Sequence, residues 1–211
     1  MGGELELSPT QTDRSAATRA KLIGAARDLF AERGYAGVGT DEVVKQAGVT
    51  RGALYHHFRE KEDLFRAVHE QVEEELSDSI QRTLAGQSRA GPMELLHAGV
   101  AAFLDHCTDP AFGRIALVEA PAIIGWIEWR AVDERHGLRL IMSGLQAAMA
   151  TGAMPEQPVR PLAHLLLAAI GEAGMIVAAA SDGREARAQV EPALKALIDG
   201  LASAGKAEVH L

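Results

Sequence analysis

The sequence predicts an all-α protein of about nine helices. Its apolar residues recur at the three- and four-residue spacing of amphipathic helices along almost the whole chain, and alternation typical of strands never extends beyond a few residues. Aromatic residues make up 4% of the 211 residues, and many apolar residues are alanine or glycine, which suit helix packing better than sheet faces. Since 47% of the residues are hydrophobic, we expect a substantial buried core.

The first predicted helix extends from about Thr18 to Arg33, and a polar arm precedes it. Thr18 is the expected N-cap, and Gly34 follows the last turn as a C-terminal stop. Residues 1–13 show no basic stretch followed by an apolar one, so we predict a flexible arm and no secretory signal. The apolar stripe of this helix comprises Leu22, Ile23, Ala26, Leu29 and Phe30.

A glycine-rich stretch, residues 34–39, separates the first helix from two short ones. No strand precedes it and no Gly-Lys-Ser/Thr follows it, so we interpret it as a flexible connection and not as a phosphate loop. A second helix begins after Thr40, whose hydroxyl is expected to cap it, and Gly48 ends it. Thr50 then caps a third helix over residues 51–58.

The helical pattern continues to the end of the chain, beginning with a long fourth helix over residues 61–84. Glycine and proline residues separate the later helices, which are predicted near residues 92–107, 110–119, 122–151, 161–181 and 184–203. Pro121 is the predicted break between the sixth and seventh helices. Residues 162–180 are nearly all apolar, but a carboxylate such as Glu172 costs about 2.5–3.5 kcal/mol inside a bilayer. We therefore predict a buried helix there and no membrane span.

The two short helices and the glycine turn between them, within residues 40–58, have the spacing of a helix-turn-helix. In that motif the second helix presents a polar face to the major groove of DNA while apolar side chains anchor its inner face. The expected anchors are Ala53, Leu54 and Phe58. The expected exposed face comprises Thr50, Arg51, Gly52, Tyr55 and His56. Lys61, just beyond this helix, is placed to neutralise a phosphate.

The charge distribution agrees weakly with a DNA-binding front. The chain carries a net charge of −8, which taken alone opposes a nucleic-acid partner. Residues 14–70, however, hold ten Lys and Arg against eight Asp and Glu, whereas residues 71–211 hold eleven against eighteen. The positive charge is thus concentrated around the helix-turn-helix.

Residues 18–65 resemble the N-terminal domain of the TetR (tetracycline-repressor) family of bacterial regulators. The matching residues are Ala25-Ala26, Leu29-Phe30, Gly34-Tyr35, Thr40, Ala47-Gly48-Val49-Thr50, Gly52, Leu54-Tyr55, His57-Phe58 and Lys61-Glu62-Asp63-Leu64. The resemblance implies a three-helix DNA-binding domain at residues 14–60 and a homodimer. It also implies an all-helical ligand-binding and dimerisation domain at residues 61–211, linked to the first by the helix that begins at Lys61.

The resemblance also implies which residues contact operator DNA. By position they are Thr40, Thr50, Arg51, Gly52, Tyr55, His56 and Lys61. Arg51 occupies the variable position of this stretch, so we expect it to read a base, for example guanine through two hydrogen bonds. Tyr55 is alternatively a packing residue with an exposed hydroxyl. His56 and His57 are not interpreted as a metal site, because adjacent helical side chains diverge by about 100°.

In the family, the ligand pocket lies among the middle helices of the second domain. Bulky or polar side chains in otherwise alanine-rich helices are candidates for it, and core packing is the alternative for each. The predicted pocket residues are Phe103, Cys107, Trp126, Trp129, Glu172 and Met175. A buried Glu172 needs a partner or a proton, and the partner is left open between Arg130, His97, the other subunit and a ligand. Cys107 is interpreted as a small buried hydrophobe in preference to a redox switch.

The last two helices are expected to form the subunit interface, as the family's dimers pair two such helices from each subunit. Small residues on the first and an apolar stripe on the second suit close helix packing. The predicted interface residues are Gly171, Gly174, Ala178, Leu194, Leu197, Ile198 and Leu201. Burial of the same stripes against the domain core is the alternative.

Together these observations predict a DNA-binding transcriptional regulator that is not an enzyme and needs no metal or cofactor. The sequence has neither Gly-x-Ser-x-Gly nor His-Glu-x-x-His. We expect a cytoplasmic homodimeric repressor, without a membrane partner, that a small-molecule effector releases from a palindromic operator. Two alternatives stay open: an activator with the same DNA-binding chemistry, and a helical ligand-binding protein or enzyme whose DNA-binding front is no longer used.

Overall fold

The computed structural model describes residues 10–203, and all regular secondary structure within that range is helical. The all-α prediction is therefore confirmed. The helices are α1 (Gln11–Arg33), α2 (Thr40–Ala47), α3 (Arg51–His57), α4 (Lys61–Ala85), α5 (Pro92–Cys107), α6 (Pro110–Phe112, Gly113–Glu119 and Ala120–Ile123), α7 (Trp126–Asp133, Glu134–Leu138 and Arg139–Ala150), α8 (Val159–Ala179) and α9 (Gly183–Ser203). The middle segments of α6 and α7 are π-helical.

Helix α1 begins at Gln11, seven residues before the predicted start. Thr10 forms a capping box with Asp13: the Thr10 hydroxyl accepts the Asp13 N–H at 3.2 Å, and the Asp13 carboxylate accepts the Thr10 N–H at 2.9 Å. The predicted N-cap, Thr18, instead lies inside the helix and donates its hydroxyl to the Arg14 carbonyl at 2.9 Å. The predicted arm therefore does not extend to residue 13, and residues 1–9 lie outside the described range.

The chain divides into two compact units between Val68 and His69, within α4, rather than before Lys61. In the first unit, Leu22, Val43 and Leu54 are fully buried between α1, α2 and α3. A cluster of three aromatic rings stabilises the same core. Its ring centroids are 5.3–5.7 Å apart, and its members are Phe30, Tyr35 and Phe65.

The second unit packs α5, α8 and α9 closely through small residues. A Cβ atom at Gly174 of α8 would lie 2.7 Å from Phe103 Cζ and 3.1 Å from Cys107 Sγ, so any side chain there would displace the Phe103 ring of α5. Helix α8 is long and apolar enough to cross a membrane by length and composition alone, a test that core helices of soluble proteins also pass. It buries Leu162, Leu166 and Val177 within the unit.

The break between α6 and α7 lies at Gly125, not at Pro121 as predicted. Gly125 has φ of 82°, a left-handed conformation that favours glycine, and α7 begins one residue later. Pro121 instead lies within the last segment of α6. The long helix predicted over residues 122–151 accordingly begins at Trp126.

The π-helical hydrogen bonding explains why Pro121 does not end α6. Just before it, the Ala120 N–H donates to the Ile115 carbonyl, five residues back. Proline has no N–H, so the next bond of this pattern, to the Ala116 carbonyl, is absent. The indole Nε1 of Trp129 donates to that carbonyl at 2.8 Å and replaces the missing bond. The helix continues because a side chain from α7 satisfies its backbone.

Candidate nucleic-acid interface and ligand cavity

Helices α2 and α3 form a helix-turn-helix around Gly48. This glycine has φ of 65°, and its N–H donates to the Lys45 carbonyl at 3.3 Å, which closes the turn. Val43, Leu54 and Phe58 are buried beneath the two helices. The inner face of α3 is therefore anchored, and its outer face is free for a partner.

The predicted DNA-contacting residues of α3 all lie on this outer face. The exposed residues are Thr50, Arg51, Gly52, Tyr55 and His56. Thr50 is the N-cap, since its hydroxyl accepts the Ala53 N–H at 3.2 Å. The cap leaves the N-terminal turn of α3, whose positive dipole end favours phosphate, open to solvent.

No atom of the described chain lies close enough to Gly52 to exclude a side chain at this position. A Cβ atom built there would have Thr50 Oγ1 as its nearest neighbour, at 3.9 Å. Glycine weakens a helix by about 0.5–1 kcal/mol relative to alanine. The missing side chain therefore gains nothing for the isolated fold, and it is consistent with close approach by an external partner.

Arg51 is held in place by neighbours on α2 and α3. Its Nη1 lies 3.4 Å from Asp41 Oδ1, and its Cζ lies 5.7 Å from the centroid of the Tyr55 ring. Hydrogen bonds to the Tyr55 hydroxyl, first from Arg51 and second from Thr40, lower the pKa of Tyr55. Tyr55 thus forms hydrogen bonds with Arg51 and Thr40 as well as packing against Arg51 through its ring. Asp41, in the first turn of α2, was not among the predicted site residues.

The prediction that Lys61 binds a phosphate needs correction. Its Nζ donates to the backbone carbonyls of Tyr35 and Val38 at 2.8 and 3.0 Å and lies 3.9 Å from the centroid of the Tyr35 ring. The ammonium is therefore engaged inside the first unit, where it fixes the loop between α1 and α2. Lys61 supports the shape of the helix-turn-helix and is not an open cation on its surface.

His56 and His57 do not form part of a metal-binding group. Their ring centroids are 5.2 Å apart, and no group of three metal-ligating side chains occurs among residues 10–203. The pKa of His57 is lowered by partial burial and, to a lesser extent, by the neighbouring His56 and Arg19. His56 remains exposed beside Tyr55.

The second unit contains a cavity of about 260 Å³. Its walls come mainly from α4, α5, α7 and α8, with Leu117 of α6 and Ile198 of α9, and are mostly aliphatic. They include Leu76, Ile80, Leu140, Ile141, Leu166 and Leu167. The polar lining residues are Glu73, Ser77, Trp129, Asp133, His136 and Ser143. An apolar cavity with a few polar groups is the usual form of a small-molecule site.

Two carboxyl groups lie in this cavity with little compensation. Glu73 is 6% exposed, and its ion-pair contact is with the buried His69, whose Nε2 lies 3.6 Å away. Burial and, second, the charge of Glu73 raise the pKa of Asp133 to about 7. Arg130 lies 3.9 Å from Asp133, but its Nε also contacts Glu134 at 3.3 Å. This part of the cavity is therefore acidic.

Comparison with known proteins identifies both units. Residues 22–68 match the family model for bacterial regulatory proteins of the tetR family, and residues 93–201 match the model for the tetracyclin repressor-like C-terminal domain. The chain belongs to the TetR family. Members of this family are DNA-binding transcriptional regulators and are generally not enzymes.

Individual relatives support the assignment. A TetR-family regulator of known structure from Pectobacterium atrosepticum is 32% identical, with a TM-score of 0.79 over 92% of this chain and 97% of its own. The transposon Tn10 TetC protein of Escherichia coli is 33% identical over 58% of this chain and 61% of its own. The transcriptional activator FasR of Mycolicibacterium smegmatis is 34% identical over 48% and 45%. The chain thus spans less than two thirds of the length of these two curated relatives.

Within the TetR-family second unit, the predicted pocket residues divide into two groups. Phe103 and Trp129 line the cavity, whereas Cys107, Trp126 and Met175 do not. Trp126, the first residue of α7, is 58% exposed. Cys107 is packed under Gly174, and burial raises the pKa of its thiol, so it remains a buried thiol without activation for redox chemistry.

The prediction that Glu172 is buried is wrong. It lies on the exposed face of α8, one or two turns from Leu165 and Ile176. Two of the four partners left open for it are engaged elsewhere, since Arg130 contacts Glu134 and His97 Nε2 lies 2.7 Å from Asp199 Oδ1. Apolar sequence neighbours did not imply burial here, because one face of α8 is apolar and exposed.

Several residues predicted for the dimer interface are used within the subunit. Leu194 and Ile198 are buried in it, Gly174 faces Phe103, and Ala178 faces Gly113 of α6. Two further residues are half-buried: Gly171 lines the cavity, and the Leu201 carbonyl accepts the Gln157 side chain at 3.5 Å. Leu197, 49% exposed, is the predicted residue that faces outward.

Proposed function

We propose that this regulator is a homodimeric repressor of transcription that a small-molecule effector releases from a palindromic operator. The observation that supports DNA reading most directly is the outer face of α3. There Arg51, held beside Tyr55, lies next to an exposed N-terminal turn without a side chain at Gly52. In the bacterial cell, such a protein acts in the cytoplasm, at the nucleoid.

In the proposed complex, α3 of each subunit enters the major groove, about one helical turn of DNA from its partner. Arg51 donates two hydrogen bonds to a guanine, which distinguishes that base pair from the other three. The hydroxyls of Thr50 and Tyr55 and the imidazole of His56 donate to phosphates, which fixes the register of the helix without reading sequence. Thr40 positions Tyr55 through their shared hydrogen bond.

The proposed dimer face lies on α8 and α9 and differs from the predicted one in its residues. Large apolar side chains are exposed there: Leu165 is 70% exposed, Ile176 is 48% exposed, and Leu197 is similar. Exposed apolar surface of this kind favours burial against a second protein surface. A second copy supplies it with an identical pair of helices, consistent with the two-helix pairing of family dimers.

The proposed effector acts from the cavity of the second unit. A ligand changes the DNA affinity only to the extent that it binds one dimer conformation more tightly than the other. The coupling typical of such linked sites, about 1–3 kcal/mol, corresponds to a 5- to 150-fold change in operator affinity. Activation in place of repression uses the same DNA-binding surface, and the likeness to the activator FasR keeps it as the second candidate.

Selection of DNA fragments from a random library with the purified protein tests the proposal. Enrichment of a palindrome, with binding that weakens steeply as salt increases, supports the dimeric DNA-reading model. A folded protein that shows no preference for any palindrome over random DNA contradicts it. A reporter gene placed behind the selected site then separates the two signs of regulation, since deletion of the regulator raises expression from a repressed promoter and lowers it from an activated one.

A further inference from the structure

The cavity of the second unit has an uneven distribution of polar groups. Most of its wall is aliphatic, from Leu76 and Ile80 on α4 to Leu166 and Leu167 on α8. Two acidic side chains, Glu73 on α4 and Asp133 on α7, line it as well. Among the described residues that line the cavity, none is a lysine or an arginine. The lining therefore offers an apolar surface and negative charge, without a fixed positive charge.

The carboxylate of Glu73 is poorly compensated by the protein itself. It is buried, and the nearest cationic group recorded for it is His69, at 3.6 Å, which is charged only when its imidazole is protonated. Both ring nitrogens of His69 are buried without a hydrogen-bond partner in the described chain. A buried carboxylate without a counter-charge raises the free energy of the folded protein, and a cation bound beside it lowers that free energy again.

The surrounding charges preserve the acidic character. Arg130 is shared between Asp133 and Glu134, and His136 on the same helix contacts Glu70 at 3.0 Å. The basic groups near the cavity are thus already paired with carboxylates. Glu73 also lies close enough to Asp133 for its charge to help raise the pKa of Asp133.

We propose that this cavity binds a lipophilic organic cation, with its apolar body along the leucine and isoleucine walls and its positive head group against Glu73 and Asp133. This inference rests on the proposed function and deepens it by naming the chemical class of the effector. An anionic head group would be brought next to two carboxyl groups, which strongly disfavours it. A neutral head group would leave the charge of Glu73 uncompensated.

Calorimetric titration of the full chain with three ligands of one chain length tests the inference. The ligands are decyltrimethylammonium, decanol and decanoate, each below its micellar concentration. We expect the cation to bind at least about tenfold more tightly than the alcohol, and decanoate to bind most weakly. Binding of decanoate or decanol as tightly as the cation, or binding of none of the three, overturns the inference.

Two neighbouring glutamates on α4 provide a matched pair of variants. Glu73→Gln should weaken binding of decyltrimethylammonium at least about tenfold and leave decanol unchanged, because only the charge in the cavity is lost. Glu74→Gln removes the same charge from the exposed side of the helix and should change neither. Equal effects of the two substitutions overturn the inference. Asp133→Asn serves as the second cavity variant if Glu73→Gln does not fold.

DNA binding is measured separately, on the ligand-free protein, so that the two proposals fail independently. Selection of a palindrome together with a preference for decanoate would support the proposed function and contradict the inference that the ligand is a cation. Binding of the cation through Glu73 without selection of any DNA would support the ligand class and contradict the proposed repressor. When both hold, addition of decyltrimethylammonium should release the operator, and Glu73→Gln should raise the concentration that is needed.

Discussion

Gly52 is the residue where the requirements of the fold and of the proposed DNA complex differ most clearly. Because its Cβ position is open, Gly52→Ala should raise the free energy of unfolding by about 0.5–1 kcal/mol. The same methyl group should lower operator affinity, since it occupies the space where α3 meets the duplex. Gly24→Ala in α1, whose Cβ position is also open, should stabilise equally without affecting DNA binding. Urea unfolding and DNA titration of both variants check this, and equal DNA affinities for the two contradict it.

Substitutions of Asp41 and Arg51 are expected to change DNA binding in opposite ways. Arg51→Ala should relax base choice at one position per half-site by about tenfold. Asp41→Asn should instead raise affinity for all DNA sequences, because it removes a negative charge beside the phosphates and frees the guanidinium. Titrations at fixed salt with the operator and its single-base variants measure both. Asp28→Asn, which makes the same charge change on the exposed surface of α1, is the control and should have a much smaller effect.

The sequence predicted which residues lie on the outer face of α3 because helical spacing and capping are local properties. It failed for Lys61 and Glu172 because their environments depend on distant parts of the chain. Lys61 meets two carbonyls more than twenty residues away, and Glu172 lies on a face of α8 that the subunit leaves uncovered. Nothing in the local pattern distinguishes a lysine that binds backbone from one that faces solvent.

At the level of the helix, α6 depends on a hydrogen bond from another element. Trp129→Phe should lower the free energy of unfolding by about 1–3 kcal/mol, because it leaves the Ala116 carbonyl without a donor beside Pro121. Trp126→Phe changes the same side-chain type at an exposed position and should have little effect. Chemical denaturation of the two variants measures the difference. Equal stabilities would show that the indole bond contributes nothing to α6.

The positions of most helices followed from the period of the apolar residues, but the π-helical segments of α6 and α7 did not. Their five-residue hydrogen-bond spacing has no distinct side-chain pattern. The tolerance of Pro121 also depends on Trp129, which comes from the following helix. The sequence therefore predicted a break at the proline, whereas the chain breaks at Gly125, where positive φ is required.

For the whole second unit, Asp133 should make stability depend on pH. Its pKa is raised to about 7, whereas an unfolded aspartate titrates near about 3.9. Its contribution to stability is therefore fully present below about pH 4 and is lost as the pH rises to about 7. Asp133→Asn should flatten the fall in stability over this interval, and Asp78→Asn, on the exposed face of α4, should not. Urea unfolding of the three proteins at several pH values checks this, and identical pH profiles contradict it.

The proposed dimer is tested by one charge on its apolar face. Leu165→Asp should convert the dimer to a monomer, because a carboxylate would be buried against the second copy. Ile127→Asp adds the same charge at another exposed apolar residue, outside α8 and α9, and should leave the dimer intact. Sedimentation velocity measures both. If Leu165→Asp remains dimeric, the interface lies elsewhere.

The cavity in the second unit also affects how long the protein persists in a cell. Without a ligand, its aliphatic walls lack the packing contacts of a filled core, and this lowers the stability of the unit. A ligand at a hundred times its dissociation constant adds about 2.7 kcal/mol to the free energy of unfolding. Because cellular proteases act on unfolded molecules, the proposed effector should slow degradation of the regulator that it removes from DNA. The released pool would then remain intact, and repression could return without new synthesis once the effector is depleted.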